Sequence, residues 1–233
     1  MQPLNLLSLS HILIVLFCLF GILYIPKLFI NRSEFAKKSL SYAIIFLILV
    51  NQGMDLYREG YLSGNWKLGL PLHLCDFSSF SILIYLLTKK REFFLFAFFF
   101  GIAGGGMSIL TPDVEYGFPY IPYIQNQIGH MMIILGVTYA MILDNQRPYL
   151  KDVHRVLIFG TFLLGAMYVV NYLLGAPANY WFLMEKPIGD NVTAFMRPAP
   201  FHMIDIYLLA IIVCYLIYVP YFLRDRKNNN EKN

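Results

Sequence analysis

The 233 residues are 58% hydrophobic and only 14% charged, whereas about a quarter of the residues of a soluble domain carry charge. This composition excludes a water-soluble globular protein and predicts an all-α, polytopic integral membrane protein. The net charge of +4 is spread over short loops, so it gives no reason to expect a nucleic-acid partner.

Seven apolar stretches follow one another along the chain, each close to or beyond the roughly 20 residues that a helix needs to cross the hydrocarbon core. Such stretches are predicted to be helices, because in lipid the backbone must satisfy its own hydrogen bonds. They comprise residues 12–30, 40–57, 70–87, 93–110, 121–143, 156–174 and 201–223. Together they predict a single integral membrane domain over residues 1–233, with a polar tail at 224–233.

The fifth stretch is the weakest of the seven. It begins with IPYIQNQIGH, which is polar and contains a proline. The alternative to seven transmembrane helices is therefore six, with this segment re-entrant.

Basic residues alternate from loop to loop, and this alternation predicts the orientation. Fourteen of the 18 Lys and Arg residues fall on one side of the seven-helix arrangement, and the positive-inside rule assigns that side to the cytoplasm. The N-terminus is then outside and the C-terminus cytoplasmic. The outer side keeps only Arg58, Lys67, Lys186 and Arg197.

Polar residues gather near the outer ends of the predicted spans. The third span opens with LPLHLCDFSS, which places His73, Cys75 and Asp76 in its first two turns; Asp55, His130, Asn171, His202 and Asp205 lie at a similar depth on other spans. One such residue alone can snorkel to the interface or bond a neighbouring helix. Because ionisable groups in the membrane are costly, their convergence at one depth favours a functional site. His11 and His154 are expected to be ordinary interfacial residues.

Cys75 is the candidate nucleophile, because a thiol near the start of a helix is helped towards the thiolate by the helix dipole. Two residues correspond to about 160° around a helix, so His73 faces away from Cys75. Asp76 is nearer to His73 in angle, and a contact between those two is expected. The base should come from another helix, and His130 has the best depth. A nucleophile, a base and an orienting acid form the layout of covalent catalysis.

The other two cysteines, Cys18 and Cys214, lie mid-span and are predicted to be small buried hydrophobes. A metal site from His73, Asp76, His130 and His202, or haem between two histidines, is conceivable, but no ligand-spacing motif supports it and no cofactor is expected. A second interpretation of the polar cluster is a non-enzymatic membrane protein. It would be a small-solute transporter, a receptor or a metal- or haem-binding subunit.

Two further segments bear on the site. Residues 101–108 read GIAGGGMS, which is typical of close helix packing and would also let a lipid chain approach the backbone. The last outer loop contains NYWFLMEKP at 179–187 and MRPAPFH at 196–202. Lys186 and Arg197 in this loop could hold a phosphate or carboxylate headgroup, or be solvent-exposed loop charges.

Three motifs, LPLHLCD, the pair Gly129 and His130, and NYWFLMEKP, resemble the YwaF-like family of bacterial integral membrane proteins over nearly the whole chain. That family is related to the eukaryotic transmembrane protein 164, an acyltransferase that moves a fatty acyl chain from a phospholipid to a lyso-ether phospholipid. It is distantly similar to a family of membrane hydrolases.

The resemblance implies a multi-pass protein of the bacterial cell membrane that acts on phospholipid or lysophospholipid, by transfer or by hydrolysis. It implies Cys75 as the nucleophile and His130 as its partner, with an acyl-enzyme formed in the bilayer. His73 and Asp76 are further catalytic candidates. The residues expected to bind substrate are His202, Asp205, Asn171, Asn179, Tyr180, Lys186 and Arg197.

Reporters fused after residue 233 test the predicted orientation. With the N-terminus outside, seven spans leave the C-terminus in the cytoplasm. We expect a fused green fluorescent protein to fluoresce and a fused alkaline phosphatase to stay inactive. An active phosphatase would contradict the seven-span orientation and favour six spans.

Overall fold

The architecture was obtained as a computed structural model, which describes residues 2–186 and 195–230. Pro187, the last residue of the NYWFLMEKP motif, and the final three residues of the tail lie outside the described residues. The chain divides into two compact units, Met1–Gln146 and Arg147–Asn233. Within the described part, the regular structure is helical, apart from an isolated bridge between Pro3 and Tyr116.

The described part of the first unit contains five helices. α1 is Leu9–Tyr24, followed by a 3-10 turn at Pro26–Phe29; α2 is Glu34–Asp55 and continues as a π-helix over Leu56–Leu62; α3 is Leu74–Thr88; α4 is Arg91–Leu110, π-helical over Ala97–Gly105; α5 is Ile121–Leu143. Serine side chains cap the N-termini of α1 and α2. The hydroxyl oxygens of Ser8 and Ser33 accept hydrogen bonds from the backbone N–H groups of His11 and Ala36, both at 3.3 Å.

Six of the helices in the described residues are long and apolar enough to cross a membrane. They are Leu9–Phe29, Glu34–Leu62, Arg91–Leu110, Ile121–Leu143, Leu150–Leu174 and His202–Asn228. The chain is therefore a multi-pass helical membrane protein, while the seventh span and the orientation remain predictions.

The sequence marked residues 121–143 as the weakest of the seven predicted spans, but the short helix in the structure is α3. Residues 121–143 form an uninterrupted helix of 23 residues, so a re-entrant segment there is wrong. Pro122 lies in its first turn, where a missing N–H costs nothing. The third apolar stretch instead gives only the 15 residues of α3, about 22 Å of helix, because the helix begins at Leu74 and not at residue 70.

α5 lies at the centre of the first unit and packs against α1, α2, α3 and α4. Glycines allow these contacts. A Cβ on Gly101 of α4 would lie 2.7 Å from Ile133 Cγ2, and a Cβ on Gly136 of α5 would lie 2.5 Å from Ile82 Cγ1 of α3. α3, α4 and α5 therefore interlock at spacings that larger residues would prevent.

Side chains from α1 and α5 bind the last carbonyls of α4. Asn126 Nδ2 donates to the Ser108 oxygen at 3.1 Å and Gln127 Nε2 to the Ile109 oxygen at 3.2 Å. His11 Nε2 lies 3.1 Å from the Leu110 oxygen. These carbonyls have no partner within their own helix, and hydrocarbon offers them none. The three side chains thus allow α4 to end within the packed unit.

The expectation for His11 was wrong, because its side chain is only 4% exposed. A carbonyl only accepts, so Nε2 carries the hydrogen that binds Leu110, and Nδ1 accepts from the Tyr123 hydroxyl at 2.8 Å. His154 is exposed and makes an edge contact with the Tyr215 ring.

The described part of the second unit contains α6, Leu150–Leu174, and α7, His202–Asn230, which pack against each other. A short 3-10 turn at Tyr180–Phe182 lies between them in sequence. At the start of the unit, Arg147 NH2 donates to both carboxylate oxygens of Asp225, at 2.7 and 2.6 Å.

Replacing His11 tests the capping of α4. His11→Phe leaves the Leu110 carbonyl and the Tyr123 hydroxyl without their partner. Each buried polar group left in this way lowers the free energy of unfolding by about 1–3 kcal/mol. We expect the melting temperature of the detergent-solubilised protein to fall by several degrees. The control is His154→Phe, which changes an exposed ring and should leave the melting temperature within about a degree. Equal values for the two variants would contradict the capping role.

Candidate active site

Cys75 lies in the first turn of α3. His73 is the residue that caps this helix, and its backbone N–H donates to Asp76 Oδ2 at 2.8 Å. A carboxylate three residues into a helix stabilises its N-terminus in this way. Asp76 therefore fixes the helix start at Leu74. Cys75 lies closer to the positive end of the helix than a start at residue 70 would have placed it.

The expected contact between His73 and Asp76 is made through the His73 backbone. The imidazole of His73 lies in the electrostatic neighbourhood of Asp113, in the loop between α4 and α5. Burial raises the pKa of the Asp113 carboxyl, and the nearby His73 partly offsets that rise. The interactions of His73 therefore reach towards this loop as well as towards Asp76.

A glutamine of α2 holds the other oxygen of Asp76. Gln52 Nε2 donates to Asp76 Oδ1 at 3.0 Å, so the carboxylate next to Cys75 is bound from two sides. The sequence argument overlooked Gln52, although an amide in an apolar span is itself a signal of a hydrogen bond between helices.

His130 lies on α5, one turn after Asn126. Its Nδ1 is 2.8 Å from the Asn126 carbonyl oxygen, and because a carbonyl only accepts, Nδ1 carries a hydrogen. In the neutral ring Nε2 then carries the lone pair, which is the atom that a general base needs. Gly129 before it is required by α2, because a Cβ there would lie 2.5 Å from Asn51 Nδ2.

The Cys75 sulfur and the His130 backbone each lie against one of two adjacent glycines of α4. A Cβ on Gly104 would lie 3.3 Å from Cys75 Sγ, and a Cβ on the adjacent Gly105 would lie 3.6 Å from the His130 carbonyl oxygen. Cys75 and the His130 backbone thus contact neighbouring residues of α4. The charge of Asp76 also acts on the His130 ring. Both thiol and imidazole belong to half-buried residues.

A second polar cluster joins α2 to α5. Asp55 Oδ1 accepts from Arg58 NH2 at 2.9 Å and from Gln125 Nε2 at 2.8 Å, while Asp55 Oδ2 accepts from Asn51 Nδ2 at 3.2 Å. Arg58 also binds the Gln125 oxygen and, at 2.8 Å, Glu59. Asp55 is the one member of this cluster that the sequence analysis counted among the polar residues within the spans. Arg58 is tied to it and is not a free outer charge.

The seven residues expected to bind substrate belong to the second unit, where each has a partner. Asn171 Nδ2 donates to the Tyr180 oxygen and its Oδ1 accepts the Tyr180 N–H, both at 2.8 Å. Asn179 Oδ1 accepts the N–H groups of Met184 and Glu185, at 3.0 and 3.1 Å. These contacts shape the segment that follows α6.

The other four lie near the start of α7. Arg197 binds the Asp205 carboxylate through NH2 at 2.6 Å and Nε at 3.0 Å, and His202 Nε2 is 2.8 Å from the Phe182 oxygen. Lys186 Nζ donates to the Met196 carbonyl at 3.1 Å. By charge, Lys186 and Arg197 remain candidate phosphate contacts.

Cys18 and Cys214 are buried free thiols, as expected. Among the described residues, no group of three or more His, Cys, Asp and Glu side chains is arranged to hold a metal ion.

Substitution of the α4 glycines tests the packing around Cys75. In a background with Cys18 and Cys214 changed to serine, Gly104→Ala places a methyl group 3.3 Å from Sγ, which is tight enough to displace the thiol. We expect alkylation of Cys75 by a maleimide to slow several-fold. Gly106→Ala is the control, because nothing lies within 4 Å of a Cβ there. Equal alkylation rates for both variants and their parent would contradict this packing.

The chain is similar to one protein family and to a bacterial relative. An uncharacterized protein of Treponema pallidum (strain Nichols) is 22% identical over 187 residues, which cover 80% of this chain and 76% of the relative. No solved structure matches the chain. The model of the TMEM164 family matches residues 6–218. The chain therefore belongs to the TMEM164 family.

Proposed function

We propose that this protein is a membrane-embedded lipid acyltransferase, or an acyl hydrolase, that acts on phospholipid or lysophospholipid at the outer face of the bacterial cell membrane. The observation that carries the proposal is the meeting of Cys75 and the His130 backbone at Gly104 and Gly105. Membership of the TMEM164 family is consistent with it.

The first half-reaction transfers the acyl group to the enzyme. Nε2 of His130 takes the thiol proton, and Cys75 Sγ attacks the carbonyl carbon of the lipid ester. The bond between that carbon and the glycerol oxygen breaks, and His130 returns the proton to the departing oxygen. The products are a lysophospholipid and a thioester on Cys75.

The second half-reaction releases the acyl group. A hydroxyl group gives its proton to His130 and attacks the thioester, and the Cys75 thiolate leaves and regains that proton. When the hydroxyl belongs to a lysophospholipid the outcome is transfer, and when it belongs to water the outcome is hydrolysis. The same residues serve both outcomes.

The start of α3 supplies the electrostatic environment that this chemistry requires. The N–H groups of Leu74 and Cys75 stand at the first positions of the helix, where no acceptor exists within the helix. They are therefore suited to stabilise the oxyanion of the tetrahedral intermediate. Asp76 acts as a positioning residue, because it holds the helix start and its charge acts on the His130 ring.

Cysteine variants test the proposal. We expect Cys75→Ala in proteoliposomes to reduce the release of lysophospholipid from labelled phospholipid to background. Cys18→Ala and Cys214→Ala should keep near wild-type activity, because both thiols are buried among apolar residues of their own helices. His130→Gln should lose at least about a hundredfold, the usual contribution of a general base. Full activity of Cys75→Ala would contradict the cysteine mechanism.

A further inference from the structure

A groove of about 520 Å³ lies beside the C-terminal end of α2. Seven residues line it, and it is called the α2 groove below: Gly53, Leu56, Tyr57, Gly60, Tyr61, Trp66 and Leu70. Its volume falls within the range of roughly 300–1,000 Å³ found for ligand pockets. The lining is apolar or aromatic throughout.

Glycines create this groove. Gly53 lies about one helical turn before Tyr57, and Gly60 about one turn after it. Nothing lies within 4 Å of a Cβ built on Gly53. At the other end, Gly60 and Gly69 meet backbone to backbone, and a Cβ on Gly69 would collide with Gly60. This contact brings the loop after α2 against the helix, so Trp66 and Leu70 form the opposite wall.

The walls are fixed by local contacts. The Tyr57 and Tyr61 rings stack with centroids 5.5 Å apart. In the loop, the Leu68 N–H donates to the Asn65 oxygen at 3.0 Å and the Gly69 N–H to the Trp66 oxygen at 3.2 Å. These contacts fix the two walls of the α2 groove, which is shallow and open along one side.

The groove continues an exposed apolar face of a membrane helix. Phe46 and Val50 precede Gly53 and Tyr57 on α2 at spacings of three and four residues, so they share one side of the helix. Phe46, Val50, Tyr57 and Tyr61 are all exposed. On a helix long and apolar enough to span a membrane, that side faces hydrocarbon. A chain entering the groove would pass directly from the bilayer, which identifies its occupant as an alkyl chain of a lipid.

The other side of the same turn of α2 leads to the candidate active site. Gln52, next to Gly53 in the chain, donates to Asp76 at 3.0 Å, and Asp76 is adjacent to Cys75. On the opposite wall, Leu70 precedes Cys75 by five residues, a separation of at most about 18 Å. Both walls of the α2 groove thus lead to the Cys75 turn.

We propose that the α2 groove binds the acyl chain of the lipid whose ester Cys75 cleaves, an inference that rests on the proposed function. The chain lies along Gly53 and between the tyrosine pair and Trp66, and its ester end extends towards the start of α3. The groove thereby sets the acyl-chain length that the enzyme prefers.

Gly53→Leu fills the α2 groove without disturbing the fold, because the space beyond Gly53 is open and leucine is a better helix former than glycine. The control is Gly165→Leu on α6, where a Cβ also has no neighbour within 4 Å. The readout is release of lysophospholipid from phosphatidylglycerol with octanoyl, dodecanoyl or hexadecanoyl chains, presented in one detergent.

We expect Gly53→Leu to lower kcat/KM for the hexadecanoyl lipid by about tenfold, which corresponds to the loss of about two buried methylene groups. The octanoyl lipid should react at nearly the wild-type rate, and Gly165→Leu should match wild type for every chain. A chain-length profile unchanged in Gly53→Leu, or an equal loss for all three lipids, would overturn the proposal.

A binding experiment separates this proposal from the catalytic one, since it uses Cys75→Ala protein, which cannot form a thioester. A phosphatidylglycerol with a diazirine at the end of its acyl chain is photolysed in vesicles that contain the protein. We expect cross-links within residues 53–70. They should disappear in the double variant that combines Cys75→Ala with Gly53→Leu, and persist in the one that combines Cys75→Ala with Gly165→Leu. Cross-links insensitive to Gly53→Leu would overturn the groove assignment. Turnover of the lipid by Cys75→Ala protein, with these cross-links retained, would overturn only the cysteine mechanism.

Discussion

α4 reaches both α3 and α5 because three residues on one of its faces have no side chain. Gly101 contacts Ile133, Gly104 contacts the Cys75 sulfur, and Gly105 contacts the His130 carbonyl. In a membrane there is little hydrophobic gain from bringing helices together, so close packing through small residues supplies the association. An alanine Cβ would lie 2.7 Å from Ile133 Cγ2 at position 101 and 3.3 Å from the Cys75 sulfur at position 104, so the neighbouring helices would have to shift, whereas at position 105 it would make ordinary contacts. The positions of Cys75 and His130 in the candidate site therefore depend on how closely α3 and α5 pack against α4.

The second constraint is that polar backbone groups in this packed unit need partners from the protein itself. α4 ends inside the unit, and His11, Asn126 and Gln127 bind its last carbonyls. In the same way, Asp76 accepts the backbone N–H of His73, the residue that caps α3. Many polar side chains of the spans are thus structural. What they leave available is the Cys75 thiol and the Nε2 lone pair of His130, because the Nδ1 hydrogen of His130 is used by Asn126.

The sequence predicted the class of protein and the order of the apolar segments, since both follow from composition and spacing along the chain, while the depth of Cys75 and His130 in the membrane stays a prediction. It did not predict the start of α3, because Pro71 suggested a helix beginning near residue 70, whereas the Asp76 carboxylate selects His73 as the cap. Nor did it predict the burial of His11 or the role of Gln52. Spacing predicts the depth of a residue, but which helix it faces depends on packing partners that lie far away in the chain, as Tyr123 lies 112 residues from His11.

If the proposed mechanism holds, Cys75 carries the acyl group during the reaction. Mass spectrometry of the Cys75 peptide tests this, after the wild-type protein has been quenched in acid during turnover of a phospholipid with isotope-labelled acyl chains. We expect the mass of one labelled acyl group on Cys75, removable by hydroxylamine as a thioester is, and more abundant when the acceptor is withheld. Turnover of the lipid with Cys75 unmodified at every time point, or with the label on another residue, would contradict it.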